Sequence, residues 1–83
     1  MESLTEARNK AVGYKQTLKR IEQGLAHKVY IAKDAEEKIV RPIFDLCRAQ
    51  DIPVVEVETM TELGKVSGIQ VGCAVAAILK DQD

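Results

Sequence analysis

A chain of 83 residues has room for one domain and one thin core, because at this length only about 60–65% of the unfolded surface can be buried. With 46% hydrophobic and 30% charged residues the composition is that of an ordinary globular protein. It excludes a disordered, collagen-like or coiled-coil chain and disfavours an enzyme that needs an enclosed cleft. The net charge of −1 hides an asymmetry: residues 1–30 carry six basic side chains against three acidic ones, and residues 31–83 carry six against ten. A small molecule that is positive in one half and negative in the other is patterned for a polyanionic partner, which the whole-chain charge alone would not suggest.

In chain order, Leu4, Ala7 and Ala11 step by three and four residues and predict a short amphipathic helix over residues 2–11, ending near Val12 and Gly13. A second helix is expected from Tyr14 to Gln23. Tyr14, Thr17, Leu18, Ile21 and Leu25 form its apolar stripe, and Gly24 is the stop. Its other face carries Lys15, Gln16, Lys19, Arg20 and Gln23. The β-branched and aromatic run Lys28–Ala32 predicts a buried strand. Asp34 is then expected to cap a helix, with Glu37 three residues on and Ile39, Val40, Ile43, Phe44 and Cys47 facing inward. Pro42 predicts a kink or a restart within it, since proline lacks an amide donor and disfavours helical geometry at Arg41.

Ile52–Val57 reads as the next strand, with Pro53 at its entry. Thr59 is expected to cap a helix running to Val66, with Glu62 at the matching third position. Gly64–Gly72 contains three glycines and predicts a loop with unusual backbone angles. Cys73–Leu79, an apolar run of seven, reads as a final strand. Three helices beyond the N-terminal one would alternate with three strands, which predicts helices packed on both faces of a small sheet.

Few residues carry chemistry. Cys47 and Cys73 have no Cys or His neighbours at metal-ligand spacing and are expected to be reduced core thiols. His27, the only histidine, stands at a strand entry and suits a surface or packing role better than general-base catalysis. No serine or cysteine lies in a nucleophile motif, and the glycine-rich stretch has neither a phosphate-loop nor a dinucleotide-binding pattern. The expectation is a non-enzymatic protein with no cofactor and no metal. Residues 1–6 lack a basic region followed by an apolar stretch, and no run approaches the roughly 18 apolar residues of a membrane span, so a cytoplasmic monomer without a membrane partner is expected.

The informative stretch is Gly13–Arg20. Lysines in the first turns of a helix oppose its partial positive charge, at a cost of about 0.3–1 kcal/mol when exposed. A phosphate at the helix start would offset this by sharing backbone amides with the lysine ammonium groups. Gly13 would allow close approach of a nucleic-acid backbone, and Lys15 with Gln16 could reach acceptor-rich base edges. The plainer alternative is that these cations only solvate an outer face. In the loop, Ile69 and Val71 are apolar tips that either tuck into the core or meet a partner.

Several blocks in one order then resemble a known family: residues 13–24 (GYKQTLKRIEQG), residues 29–34 (VYIAKD), Cys47 followed by Ile52-Pro53, then Leu63-Gly64-Lys65 and Gly68-Ile69. Together they resemble the L7Ae and L30e ribosomal proteins, most of all the bacterial YbxF-type branch, over about residues 4–80. The resemblance implies a three-layer α/β/α sandwich with a mixed four-stranded sheet, one strand more than the segments suggest, the extra one lying near the N-terminal region. It also implies recognition of kink-turn RNA, possession of no cofactor, and an RNA-binding set comprising Gly13, Lys15, Gln16, Lys19, Lys33, Lys65, Ile69, Gln70, Val71 and Gly72. The target would be a ribosomal or riboswitch RNA. Archaeal and eukaryotic relatives carry Asn-Glu at the positions of Lys15-Gln16, and an aromatic residue where Val54 stands, so base contacts must differ. The competing expectation is a protein-interaction module that keeps the fold and uses the apolar loop.

Overall fold

The computed structural model describes residues 9–69 and 71–80. The elements run β1 (Lys10–Val12), α1 (Tyr14–Glu22), β2 (Ala26–Ala32), α2 (Glu37–Ala49), β3 (Val54–Val57), α3 (Met60–Ser67) and β4 (Val75–Leu79). The strands form one sheet in the order β1-β4-β2-β3. Strand β4 pairs antiparallel with both β1 and β2, whereas β3 lies parallel to β2 on the far edge. A parallel neighbour requires a crossover, and α2 supplies it. Because β1, β2 and β3 all run the same way, their C-terminal ends, the starts of α1 and α3 and the beginning of β4 gather at one end of the sheet.

Strand alternation sorts the core into two layers. Val29, Ile31, Val75 and Ala77 pack with Ile21 of α1 and with Ile43 and Cys47 of α2. Ala32, Ala76 and Ile78 point the other way, onto Leu63 of α3 and Cys73. The result is a three-layer α/β/α sandwich whose central strand β4 is covered on both faces. That double burial is why Val75–Leu79 reads as a continuous apolar run rather than an alternating one. Ile21, Ile43 and Leu63 are wholly buried, and each contributes on the order of 1.5–3 kcal/mol of transfer free energy.

Several expectations are corrected. The fourth strand is β1, so Lys10 and Ala11 are extended rather than the end of a helix; the rest of that expected helix lies outside the described residues. The three-residue strand exists because β4 offers it a register, Lys10 opposite Ile78 through Val12 opposite Ala76. Asp34 does not cap α2, which starts on Glu36 with no side-chain cap. Its carboxylate instead accepts the Met60 N–H at 2.8 Å, serving the start of α3. Helix α2 runs unbroken through Pro42. The lost backbone bond falls on an exposed turn, and burial of Ile43 and Cys47 on the opposite side holds the helix together. Gly64 belongs to α3, and the loop begins only at Gly68, whose φ of 88° provides the left-handed stop.

Both cysteines are free and buried. Desolvation pushes the Cys47 thiol up to about 11. It raises Cys73 as well, against a hydrogen bond with Ser67 that pulls the other way.

Candidate nucleic-acid interface

Helix α1 starts on Gly13, whose φ of 97° and ψ of 161° suit glycine far better than any residue with a Cβ. The Gly13 N–H donates to the Val75 carbonyl at 2.9 Å, and the Gly13 carbonyl accepts from the Thr17 N–H at 3.1 Å. The helix start is thus riveted to the first residue of β4. Thr17 is buried and its hydroxyl reaches back to the Ala11 carbonyl at 3.5 Å. The Gln16 Oε1 accepts the Val12 N–H at 3.3 Å. Both side chains brace the sharp turn from strand to helix, and the Gln16 amide nitrogen is left as a donor.

What the turn does not contain is equally informative. Among the described residues no acceptor meets the backbone N–H groups of Tyr14, Lys15 and Gln16. No side chain caps the helix and its first turn holds no acid. Lys15 and Lys19 are exposed, four residues apart on one side of the helix, and neither forms an ion pair with a described residue. Partial positive charge from the peptide dipoles and full positive charge from the lysines therefore coincide on open surface.

The loop between α3 and β4 lies at the same end of the molecule. Ile69 is half-buried and packs on the layer formed with Leu63 and Ala76, whereas Val71 is 71% exposed. The two apolar tips thus divide, one into the core and one into solvent. Gly72 follows against α3, and Gln70 lies outside the described residues.

The two remaining lysines of the expected set differ from each other. Lys33 follows β2 at this same end but donates to the Glu58 carboxylate at 3.1 Å. That hydrogen bond, with the charges of Glu58 and Glu56, raises its pKa, so Lys33 stays protonated and paired with a carboxylate in the free protein. Lys65 is exposed in the last turn of α3, without a carboxylate partner among the described residues. Lys10, whose charge the sequence already places before this turn, is brought by β1 beside the end of α3: its ammonium lies 3.5 Å from where a Cβ on Gly68 would stand. The clue to that placement would have been strand alternation at Lys10 and Val12, which the helical reading concealed.

A cleft of about 320 Å3 opens elsewhere, between α2 and the β2–β3 edge. Lys33, Arg41 and Arg48 line it opposite Glu37, Asp45 and Glu56, so it is electrically balanced and offers no net attraction to a polyanion. No helix among the described residues is long and apolar enough to cross a membrane.

Comparison with known proteins agrees with this geometry. An RNA-binding protein of Caldanaerobacter subterraneus subsp. tengcongensis is 48% identical over 68 residues, covering 82% of this chain and 83% of its own. The RNA-binding protein YbxF of Geobacillus stearothermophilus is 35% identical over 79 residues, covering 95% and 96%. The large ribosomal subunit protein eL8 of Halobacterium salinarum is 40% identical, over the whole of this chain and 72% of its own. Among solved structures, the 15.5kD RNA binding protein of Giardia lamblia superposes with a TM-score of 0.79 at 30% identity, covering 88% of this chain and 62% of that one. A protein of unknown function from Bacillus halodurans gives 0.80 at 25%, covering 93% and 77%. The model of the ribosomal protein L7Ae/L30e/S12e/Gadd45 family matches residues 1–83, and the chain belongs to that family.

Proposed function

We propose that this protein binds RNA, and that its target is a kink-turn, a sharply bent internal loop in a ribosomal or riboswitch RNA. The observation that carries the reading is the start of α1: three backbone amides without acceptors among the described residues, two exposed lysines and no first-turn carboxylate, all on one open surface. The names of several relatives, RNA-binding proteins among them, support the same partner.

The physics favours a bent RNA over a straight one. A regular A-form helix keeps its base edges in a deep, narrow groove that side chains cannot enter, whereas a kink opens that groove to the tip of a protein helix. In this reading the backbone N–H groups of Tyr14, Lys15 and Gln16 donate to phosphate oxygens, Lys15 and Lys19 add charge, and the side-chain amide nitrogen of Gln16 donates to a base edge. Gly13, with nothing within 4 Å of a Cβ position, lets the RNA backbone come close. Val71 offers apolar surface for a nucleotide turned out of the stack, flanked by Ile69, Gln70 and Gly72. Lys65 adds long-range attraction, and Lys33 contributes only where RNA displaces Glu58. Binding the bent form in preference to the extended one would shift the RNA towards the kink.

A gel-shift titration tests the proposal with a kink-turn RNA and a straight duplex of equal length. Replacing both residues, Lys15→Ala with Gln16→Ala, is expected to weaken kink-turn binding by roughly 10- to 100-fold. Wild-type affinity in that variant would remove the site. Equal affinity for the straight duplex would remove the preference for a kink. Affinity that barely changes with salt would favour a protein partner instead, since phosphate contacts make RNA binding steeply salt-dependent.

A further inference from the structure

The loop that carries Val71 is seated on α3 by two glycines. Gly64 stands in mid-helix and is buried. A helix interior favours alanine over glycine, so a glycine there answers a need that lies outside the helix. The need is a close contact. A Cβ on Gly64 would collide with the Val71 carbonyl oxygen, and would stand 3.0 Å from the Val71 carbonyl carbon and 3.1 Å from the Gly72 Cα. Bare helix backbone therefore lets the main chain of the loop lie flat against α3. Gly72 completes the seat, since a Cβ there would stand 3.1 Å from the Met60 carbonyl carbon and 3.2 Å from its oxygen.

Two hydrogen bonds fasten the segment at either side of the tip. The Ile69 N–H donates to the Gly64 carbonyl at 3.0 Å, and the Cys73 N–H donates to the Met60 carbonyl at 3.1 Å. Beyond them the chain enters β4 at Val75, whose carbonyl holds the Gly13 N–H. With its carbonyl turned onto the helix, Val71 leaves its side chain in solvent. One continuous set of backbone contacts thus runs from α3, through the loop, to the start of α1.

The geometry points to Gly64 and Gly72 as positioning residues for RNA recognition, holding Val71 in place beside the amide-rich helix start before any ligand arrives. This inference rests on the RNA-binding reading above. Its physical content is preorganisation: with Val71 and Gly72 already seated on α3 in the free protein, little further freedom is lost on binding. Neither glycine touches RNA in this scheme; each acts through the placement of Val71.

Two measurements on the full chain test it. In the free protein, Gly64→Ala is expected to abolish hydrogen-exchange protection of the Ile69 and Cys73 amides while the amides of β2 and β4 stay protected. In kink-turn titrations it is expected to weaken binding by roughly tenfold. The salt dependence should stay as in the wild type, because Lys15 and Lys19 are untouched. The loss should also be non-additive with Val71→Ala, since both changes remove the same contact. Gly72→Ala should act in the same direction more weakly, and it carries the test where Gly64→Ala does not fold. Retained protection at both amides, wild-type affinity, or losses that add fully with Val71→Ala would each overturn the positioning role. A wild-type chain that ignores kink-turn RNA, yet loses loop protection in Gly64→Ala, would overturn the RNA-binding reading and leave the glycine seat standing.

Discussion

Two helices start at the same end of the sheet, and they are treated in opposite ways. At α3 the Thr59 hydroxyl accepts the Glu62 N–H at 3.0 Å, the Asp34 carboxylate accepts the Met60 N–H at 2.8 Å, and Glu62 places an acid in the first turn. At α1 the cap is a glycine, no side chain accepts, and the first-turn residues include Lys15 instead of an acid. The chain therefore closes one helix start with its own oxygens and leaves the other electrostatically open. Helix α2 also lacks a side-chain cap but carries Glu37 in its first turn, so among the three described helices only α1 has neither a cap nor an acid at its start, at a cost in local stability. Local rule-breaking of this kind is where function is expected to lie, which is why the proposed RNA site is placed at α1 and not at α3.

The comparison can be broken or sharpened experimentally. The largest expected effect is loss of RNA affinity on reversing charge at the open start: Lys15→Glu should abolish measurable binding in the gel-shift titration. Unchanged binding would erase the functional meaning of the contrast. Next comes the closed start, where Thr59→Ala should lower stability by about 1 kcal/mol, about 4–8 °C in Tm for a chain of this size, with kink-turn affinity unaltered. A matching fall in affinity would show that the two helix starts are not separable. A smaller effect of opposite sign is expected from Lys15→Glu in the free protein, where an acid in the first turn should stabilise by about 0.3–1 kcal/mol in chemical denaturation. One substitution would then raise stability while destroying binding.

The smallest effect concerns the core. With the Cys47 thiol held at about 11 against an ordinary 9.0, the unfolded chain releases its proton at a lower pH than the folded one. The contribution is complete below pH 9 and fades as pH rises towards 11, so stability should fall over that window. Cys47→Ala should flatten the decline, and in the native wild type Cys47 should resist thiol reagents at pH 8.

How much of this could be read beforehand depended on the range of the interactions. Helix α1, its apolar stripe and its Gly24 turn were legible because helical spacing and a glycine stop act within four residues. The same holds for Thr59 with Glu62, a cap contained in one turn. Local sequence points Asp34 to the wrong helix because its acceptor role spans 26 residues, from just after β2 to the start of α3. Strand β1 was hidden for a similar reason, since three residues have no extended preference strong enough to stand against a helical spacing until β4 lies alongside. Gly64 read as loop because glycine is a poor helix former, and only the Val71 carbonyl resting on it explains why the helix keeps it. Of the candidate site, the cationic cluster of α1 was visible in the order of residues. The carboxylate partner of Lys33, the separate fates of Ile69 and Val71, and the place of Lys10 beside Gly68 were not.

The sequence by itself determined which segments could be helix or strand, where positive charge concentrates and which family the chain resembles, because these follow from periodicity, composition and motif order. The tertiary structure alone decided which helix start is capped and which stays open. It also decided which lysine is spent on a carboxylate and how the loop is seated. Those outcomes depend on groups far apart in the chain meeting at hydrogen-bond distance, and local sequence carries no record of such meetings.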